Sequence, residues 1–264
     1  MKISKAVEEL FATAVALDQS GGLRNTIYVI DQEVYVLNHD HTILLRFKLR
    51  RKDAPFEKPI SFHANDYDSE RFSEEDGKIV FIIEEGDYLR KKSCSSPDAT
   101  PEDVRALFNS FPKPSDAVSV EIRNPVTKLL DTSLSHIELV GDVGEELRLI
   151  QRNIYSGSII EIQAKSGKDA EPDIFGGGGG LPYTIEPVAV RTVDFMALFT
   201  VWKSITVAFS ILENGGDYLY INGIVKNKSG FEATAIVSCC IYDEIVEIKE
   251  ARNGRQEQKV RRRK

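Results

Sequence analysis

Apolar residues recur at helical spacing in four stretches of the chain and alternate at strand spacing between them. Near the start, Ile3, Val7, Leu10, Phe11 and Ala14 fall on one face of a helix running to Leu17, and Ser4 is placed to cap it. A second helix is predicted from Thr100, which caps it, with Pro101 at the first helical position and Glu102 and Asp103 where the helix dipole favours acids. Val104, Leu107, Phe108 and Phe111 supply its apolar face, and Pro112 and Pro114 stop it. A third, short helix is predicted over 125–134 from Val126, Leu129 and Leu130. The fourth runs over 192–204, with Phe195, Leu198, Phe199 and Trp202 on one side and Thr192 as its cap.

Between these helices the period falls to two, in segments rich in β-branched and aromatic residues. Strands are predicted at 26–30, 33–37 and 42–49, then at 78–83 and 88–94 on the far side of an Asp76-Gly77 hairpin signal. Further strands fall at 117–122, 136–140, 158–165, 205–212, 217–225 and 231–242. The stretch 145–152 fits either element. Asp142 with Glu145 resembles a capping box and Leu147 with Ile150 suits a helix, whereas Leu147 with Leu149 suits a strand. Taken as a strand, it makes a helix followed by a three-strand antiparallel meander recur at 4–49, 125–165 and 192–242. The repeat is one of pattern, not of identity. The fold class is therefore α+β, with two similar domains, 1–117 and 118–264. Residues 50–56 read as a loop, 65–73 as a short helix or loop, and 166–187, with its run Gly176–Gly180, as a flexible loop. The basic tail 250–264 reads as a frayed end.

Composition narrows the chemistry more than it narrows the fold. The 264 residues carry a formal charge of −7, which argues against indiscriminate nucleic-acid binding but permits positive charge confined to one surface. No apolar run spans a bilayer, the first residues do not form a signal peptide, and three cysteines make no disulfide framework, so a cytoplasmic setting is expected, that of the host cell if the chain is viral. His39-Asp40-His41 invites a metal reading, but two neighbouring ligands need distant partners, and a polar hairpin turn is the better reading. Arg90-Lys91-Lys92 reads as a solvated edge that discourages strand pairing. The glycine run lacks the lysine and the strand-helix context of a phosphate loop. Glu84-Glu85 and Asp243-Glu244 read as solubility features. No catalytic set, cofactor motif or metal site emerges, and a non-enzymatic role is expected, although catalytic groups often converge only in the fold.

Three segments carry a family resemblance. Met1-Lys2-Ile3-Ser4-Lys5 opens a helix, Ser73-Glu74-Glu75-Asp76-Gly77-Lys78-Ile79 makes a hairpin ahead of a strand, and Val193–Phe209 with Asp217–Gly223 forms a helix followed by its first hairpin. Together they resemble DNA polymerase sliding clamps, most of all those of T-even-like bacteriophages, over the first third and the last quarter of the chain. Region 122–187 departs from that pattern, and little chain follows Val246 for a further meander. The resemblance implies two clamp-like domains, each with two helices packed on antiparallel sheets, and a homotrimeric ring around duplex DNA. Such a ring tethers a polymerase, is placed by a clamp loader and needs no catalytic residue, cofactor or membrane. Its helices would hold the phosphates through Lys2, Lys5, Arg105, Lys128, Arg191 and Lys203, without reading bases. Two other classes compete: a viral structural or assembly protein with no DNA-tethering role, and a nucleic-acid-binding module without a ring.

Overall fold

The computed structural model describes residues 4–17, 25–50, 53, 56, 58–67, 71–75, 78–94, 97–111, 119–142, 147–153, 156–164, 184–210, 218–225 and 231–239. Helix α1 (Lys5–Ala16) starts where Ser4 accepts bonds from the Val7 N–H through both its hydroxyl and its carbonyl. It leads into the meander β1 (Thr26–Ile30), β2 (Glu33–Leu37) and β3 (Ile43–Lys48). Strand β4 (Ile60–His63) returns to pair with β1, and a three-stranded sheet follows: β5 (Phe72–Glu75), β6 (Lys78–Glu85) and β7 (Tyr88–Ser93). Helix α2 (Pro101–Ser110) opens with a full capping box between Thr100 and Asp103.

The second half begins with β8 (Ser119–Arg123) and a 3-10 helix at Asn124–Lys128. Strands β9 (His136–Asp142), β10 (Leu147–Arg152) and β11 (Ile159–Ala164) form the next meander, and β12 (Thr184–Arg191) pairs with β9 on its other side. Helix α3 (Thr192–Val201) then feeds β13 (Trp202–Ser210), β14 (Tyr218–Val225) and β15 (Glu232–Ser238).

One eight-stranded sheet unites the halves, in the order β4-β1-β2-β3-β15-β14-β13-β8. Each half supplies four consecutive places in it, and the last strands of the first and third meanders meet antiparallel at its centre, from Glu232 against Lys48 to Val237 against Ile43. Both faces of this sheet are covered. Ile27, Val29, Val34, Val36, Leu45 and Phe47 point to the main core with α1 and α3, while Tyr28, Ile30, Tyr35, Leu37 and Leu44 point the other way, towards α2. A one-residue register slip would exchange the two sets, so the side-chain alternation fixes the pairing.

The α+β class and the three meanders are observed, with 147–152 as a strand, and an α-helix precedes the first and third meanders. Four boundaries differ. The helix expected over 125–134 is a 3-10 turn at Asn124–Lys128, followed by turns. The last helix ends at Val201, because Trp202 takes an extended backbone and starts β13. Thr192 lies inside that helix with its hydroxyl accepting from Gln151 Nε2, and Arg191 holds the cap position. Finally, β12 begins at Thr184, inside the expected loop, and its register shifts between Ile185 and Val188. Pro187 has no N–H to give the ladder, which accounts for that bulge. The glycine run 176–180 and the tail 250–264 lie outside the described residues.

Candidate nucleic-acid interface

Helix α3 lies between α1 and the 3-10 helix and touches both, so three helical segments run side by side on one face of the eight-stranded sheet. Each is held from below by apolar burial. Val7, Leu10, Phe11 and Ala14 of α1, Phe195, Leu198 and Phe199 of α3, and Val126 of the 3-10 helix all join one core. Phe11 adds edge-to-face contacts with Phe62 and Tyr67 at ring-centroid separations of 5.5 and 5.4 Å. Turned to solvent are Lys5, Glu9 and Ala12 on α1, Val193 on α3, and Lys128 with Leu129 at the end of the 3-10 helix. Lys5 and Lys128 thus share this face with Glu9 and the half-buried Glu8. The described charge is close to balance. A duplex against it would find few phosphate contacts, and binding would be weak and without base readout.

The other candidates fall elsewhere. Arg105 is on α2, across the sheet from α1, and its Nη1 donates to Asp31 Oδ2 at 2.8 Å. Around it Val104, Phe108 and Phe111 cover Tyr28, Tyr35, Tyr218 and Tyr220, with Phe108 edge-on to Tyr35 and the Arg46 guanidinium 4.5 Å above its ring. Burial and the neighbouring Glu33 carboxylate, which accepts a hydrogen bond from its hydroxyl, push the Tyr35 phenol well above its usual range. Arg191 is engaged by its own chain. Its fork grips Asp194 (Nε to Oδ2 2.7 Å, Nη2 to Oδ1 2.9 Å), and it also donates to Asp40 Oδ2 at 2.6 Å and Thr42 Oγ1 at 3.0 Å. These carboxylates, Asp194 first, raise the guanidinium pKa further. The His39-Asp40-His41 turn is therefore built as an anchor for Arg191, and Asn38 Oδ1 closes it by accepting from the Thr42 and Ile43 N–H groups. Lys203 occupies the register shift where β13 leaves α3, its side chain lying outside the described residues, as does Lys2 entirely.

The structure thus gathers Lys5 and Lys128 on the helical face and assigns Arg191 a structural role. Sequence periodicity did not reveal that α2 packs on the opposite face. A signal was present, however: T-I-Y-V-I, E-V-Y-V-L and Y-L-Y-I are apolar at both strand parities, the mark of strands covered on both sides.

The paired halves, with helices α1 and α3 on one face of a shared sheet, also occur in solved structures. Proliferating Cellular Nuclear Antigen from Entamoeba histolytica superposes with a TM-score of 0.51 at 13% identity, covering 91% of this chain and 98% of that one. The fold is that of the sliding clamps. The H. pylori beta clamp, solved in complex with 5-chloroisatin, superposes with a TM-score of 0.56 at 14% identity, covering 91% of this chain and 65% of that clamp. At these identities the likeness is one of fold. No protein-family model matches the sequence, and no curated protein matches it either.

Proposed function

We propose that this chain is a DNA polymerase processivity clamp, which encircles duplex DNA as a closed ring and tethers the replicative polymerase without chemistry of its own. The observation that carries this is the duplicated architecture: each half gives four strands to one sheet, and α1 and α3 lie side by side on a single face. In this reading the halves 1–117 and 118–264 are two clamp-like domains, and three chains complete the ring. In the same reading, the resemblance of segments 1–5, 73–79, 193–209 and 217–223 to T-even-like phage clamps supports a clamp of that kind. The row α1, α3 and the 3-10 helix faces the DNA, with Lys5 and Lys128 as its phosphate contacts. Lys2 and Lys203 belong to the same proposal by their places in the chain, whereas Arg105 sits on the far face and Arg191 is spent on Asp194 and Asp40. Polymerase and clamp loader are the implied partners.

The test has two steps. Light scattering over a concentration series gives the assembly state, with a three-chain species expected. Protein loaded on nicked circular DNA is then challenged with salt before and after linearisation. A ring stays on the circle and is lost from the linear form. A persistent single chain, or equal loss from both DNAs, refutes the proposal.

A further inference from the structure

The densest positive charge in the sequence is not on the helical face. Residues 250–264 hold seven basic side chains against Glu250 and Glu257, a surplus of five, so the other 249 residues carry −12. Five of the seven fall within the last six positions, as Lys259 and Arg261–Lys264. On the helical face Lys5 and Lys128 are nearly cancelled by Glu8 and Glu9. The fold brings the start of the basic segment to that face. Strand β15 ends at Ser238, whose N–H bonds the Thr42 carbonyl. Arg191, the residue before α3, donates to Thr42 Oγ1 and to Asp40 of the same turn. Cys239 packs against the core that α1 and α3 cover. The chain therefore leaves the sheet beside the first turn of α3. Lys259 lies twenty residues beyond Cys239, a separation of at most about 70 Å along the chain. Helix α3, with ten residues, is about 15 Å long, so a duplex laid along the helical row is within reach of the basic block.

We propose that Lys259 and Arg261–Lys264 form a second nucleic-acid contact, which captures duplex DNA by its phosphates and brings it to the helical face. Three consecutive guanidinium groups each offer a planar fork that matches two phosphate oxygens. Six residues extend over at most about 20 Å, a length of duplex that carries about twelve phosphates, so every cation of the block can find one. No aromatic residue follows Tyr242, so the block offers no ring on which a base could stack, and the contact reads no sequence. The acidic remainder of the chain does not cancel it, because exposed charges further apart than about 8 Å are largely screened at physiological salt. Salt then decides which contact matters. Four neutralised phosphates give a slope of about −3.6, an affinity loss of about 150-fold between 50 and 200 mM salt, whereas the two of Lys5 and Lys128 give about 12-fold. The block thus dominates capture at low salt and is stripped at high salt, where only a closed ring stays on. The contact does not rest on the ring reading, since a binder without a ring would use it equally.

The test is fluorescence anisotropy of a labelled short linear duplex, titrated with the full chain across 50–200 mM salt. A chain carrying Arg261→Gln, Arg262→Gln, Arg263→Gln and Lys264→Gln together is expected to bind more weakly at 50 mM and to lose about 3.6 from the magnitude of the salt slope. Lys5→Ala with Lys128→Ala should remove about 1.8 at most. Replacing the same three arginines by lysine preserves the charge and should preserve the slope. An unchanged slope in the four-glutamine chain overturns the proposal and assigns the block to an acidic protein surface instead. A slope that falls as far in the lysine chain also overturns it, because no charge has been removed there. A linear duplex cannot retain a ring, so neither result depends on closure. A slope that falls as expected, from a chain that is not retained on circular DNA after the salt challenge, upholds the block and refutes the clamp function instead.

Discussion

Replacing Arg191 with alanine separates a structural arginine from a DNA-binding one. The substitution leaves Asp194, 4% exposed, without either arm of its bidentate partner, and frees the β2-β3 turn from the start of α3. Removing one member of a fully buried ion pair costs about 3–5 kcal/mol. Here two features lower the figure. The Arg191 side chain is 31% exposed, so water reaches the abandoned carboxylate, and Asp194 stands in the first turn of α3, where the helix dipole still favours its charge. The Asp40 arm is half-exposed and adds little. A loss of about 2–3 kcal/mol follows. With a urea m-value of about 3 kcal/mol/M, near the upper end for ordinary domains, the unfolding midpoint falls by about 0.7–1 M. A double-mutant cycle with Asp194→Ala should recover part of that loss as coupling between the two sites. An unchanged midpoint together with weakened DNA retention would refute the assignment and return Arg191 to the DNA-facing set.

Phe108→Ala removes the ring that holds α2 between Tyr35 and Arg46; a cost of about 3–5 kcal/mol is expected, read as faster hydrogen exchange of the α2 amides ahead of those of β1 and β2. Gln151→Leu strips partners from the Asp131 N–H and carbonyl and from the Thr192 hydroxyl, and should lower thermal stability by about 1–3 kcal/mol. Bonds from the Thr100 hydroxyl and N–H hold the Asp103 carboxyl below its ordinary range, so its contribution is full above the unfolded pKa and is lost as pH falls through the lower folded value; Asp103→Asn should flatten that acid limb in melts taken across pH 2–5.

Elements defined by local chemistry were legible. Thr100, Pro101 and Asp103 specify a helix start without help from the rest of the chain, and T-I-Y-V-I to I-L-L-R-F-K specify a meander by period alone. The errors fall where long-range contacts decide. Val201-Trp202 suits a helix as well as a strand, and the choice is made by pairing with β14. Pro187 hides a strand that survives by bulging against β9. Exposed-looking arginines could not be sorted by sequence at all. Asp40 is 151 residues from Arg191, and Asp31 is 74 from Arg105, so the partners that neutralise them become visible only in the fold.

The thin charge on the helical face bears on how the protein stays on DNA. A binder that holds DNA by affinity needs many phosphate contacts, and each released counterion makes it more salt-sensitive. The described helical row offers Lys5 and Lys128 against Glu8 and Glu9, which suits a surface that lets a duplex slide. In the ring we propose, retention comes from closure and not from phosphate contacts, so a variant of the helical face separates the two modes of holding nicked circular DNA. Lys5→Ala with Lys128→Ala should leave retention in place and lower the loading salt slope by about 0.9 for each phosphate that is no longer neutralised. If the lysine pair abolished retention, the protein would hold DNA by surface affinity, and the non-ring nucleic-acid module would be the better reading.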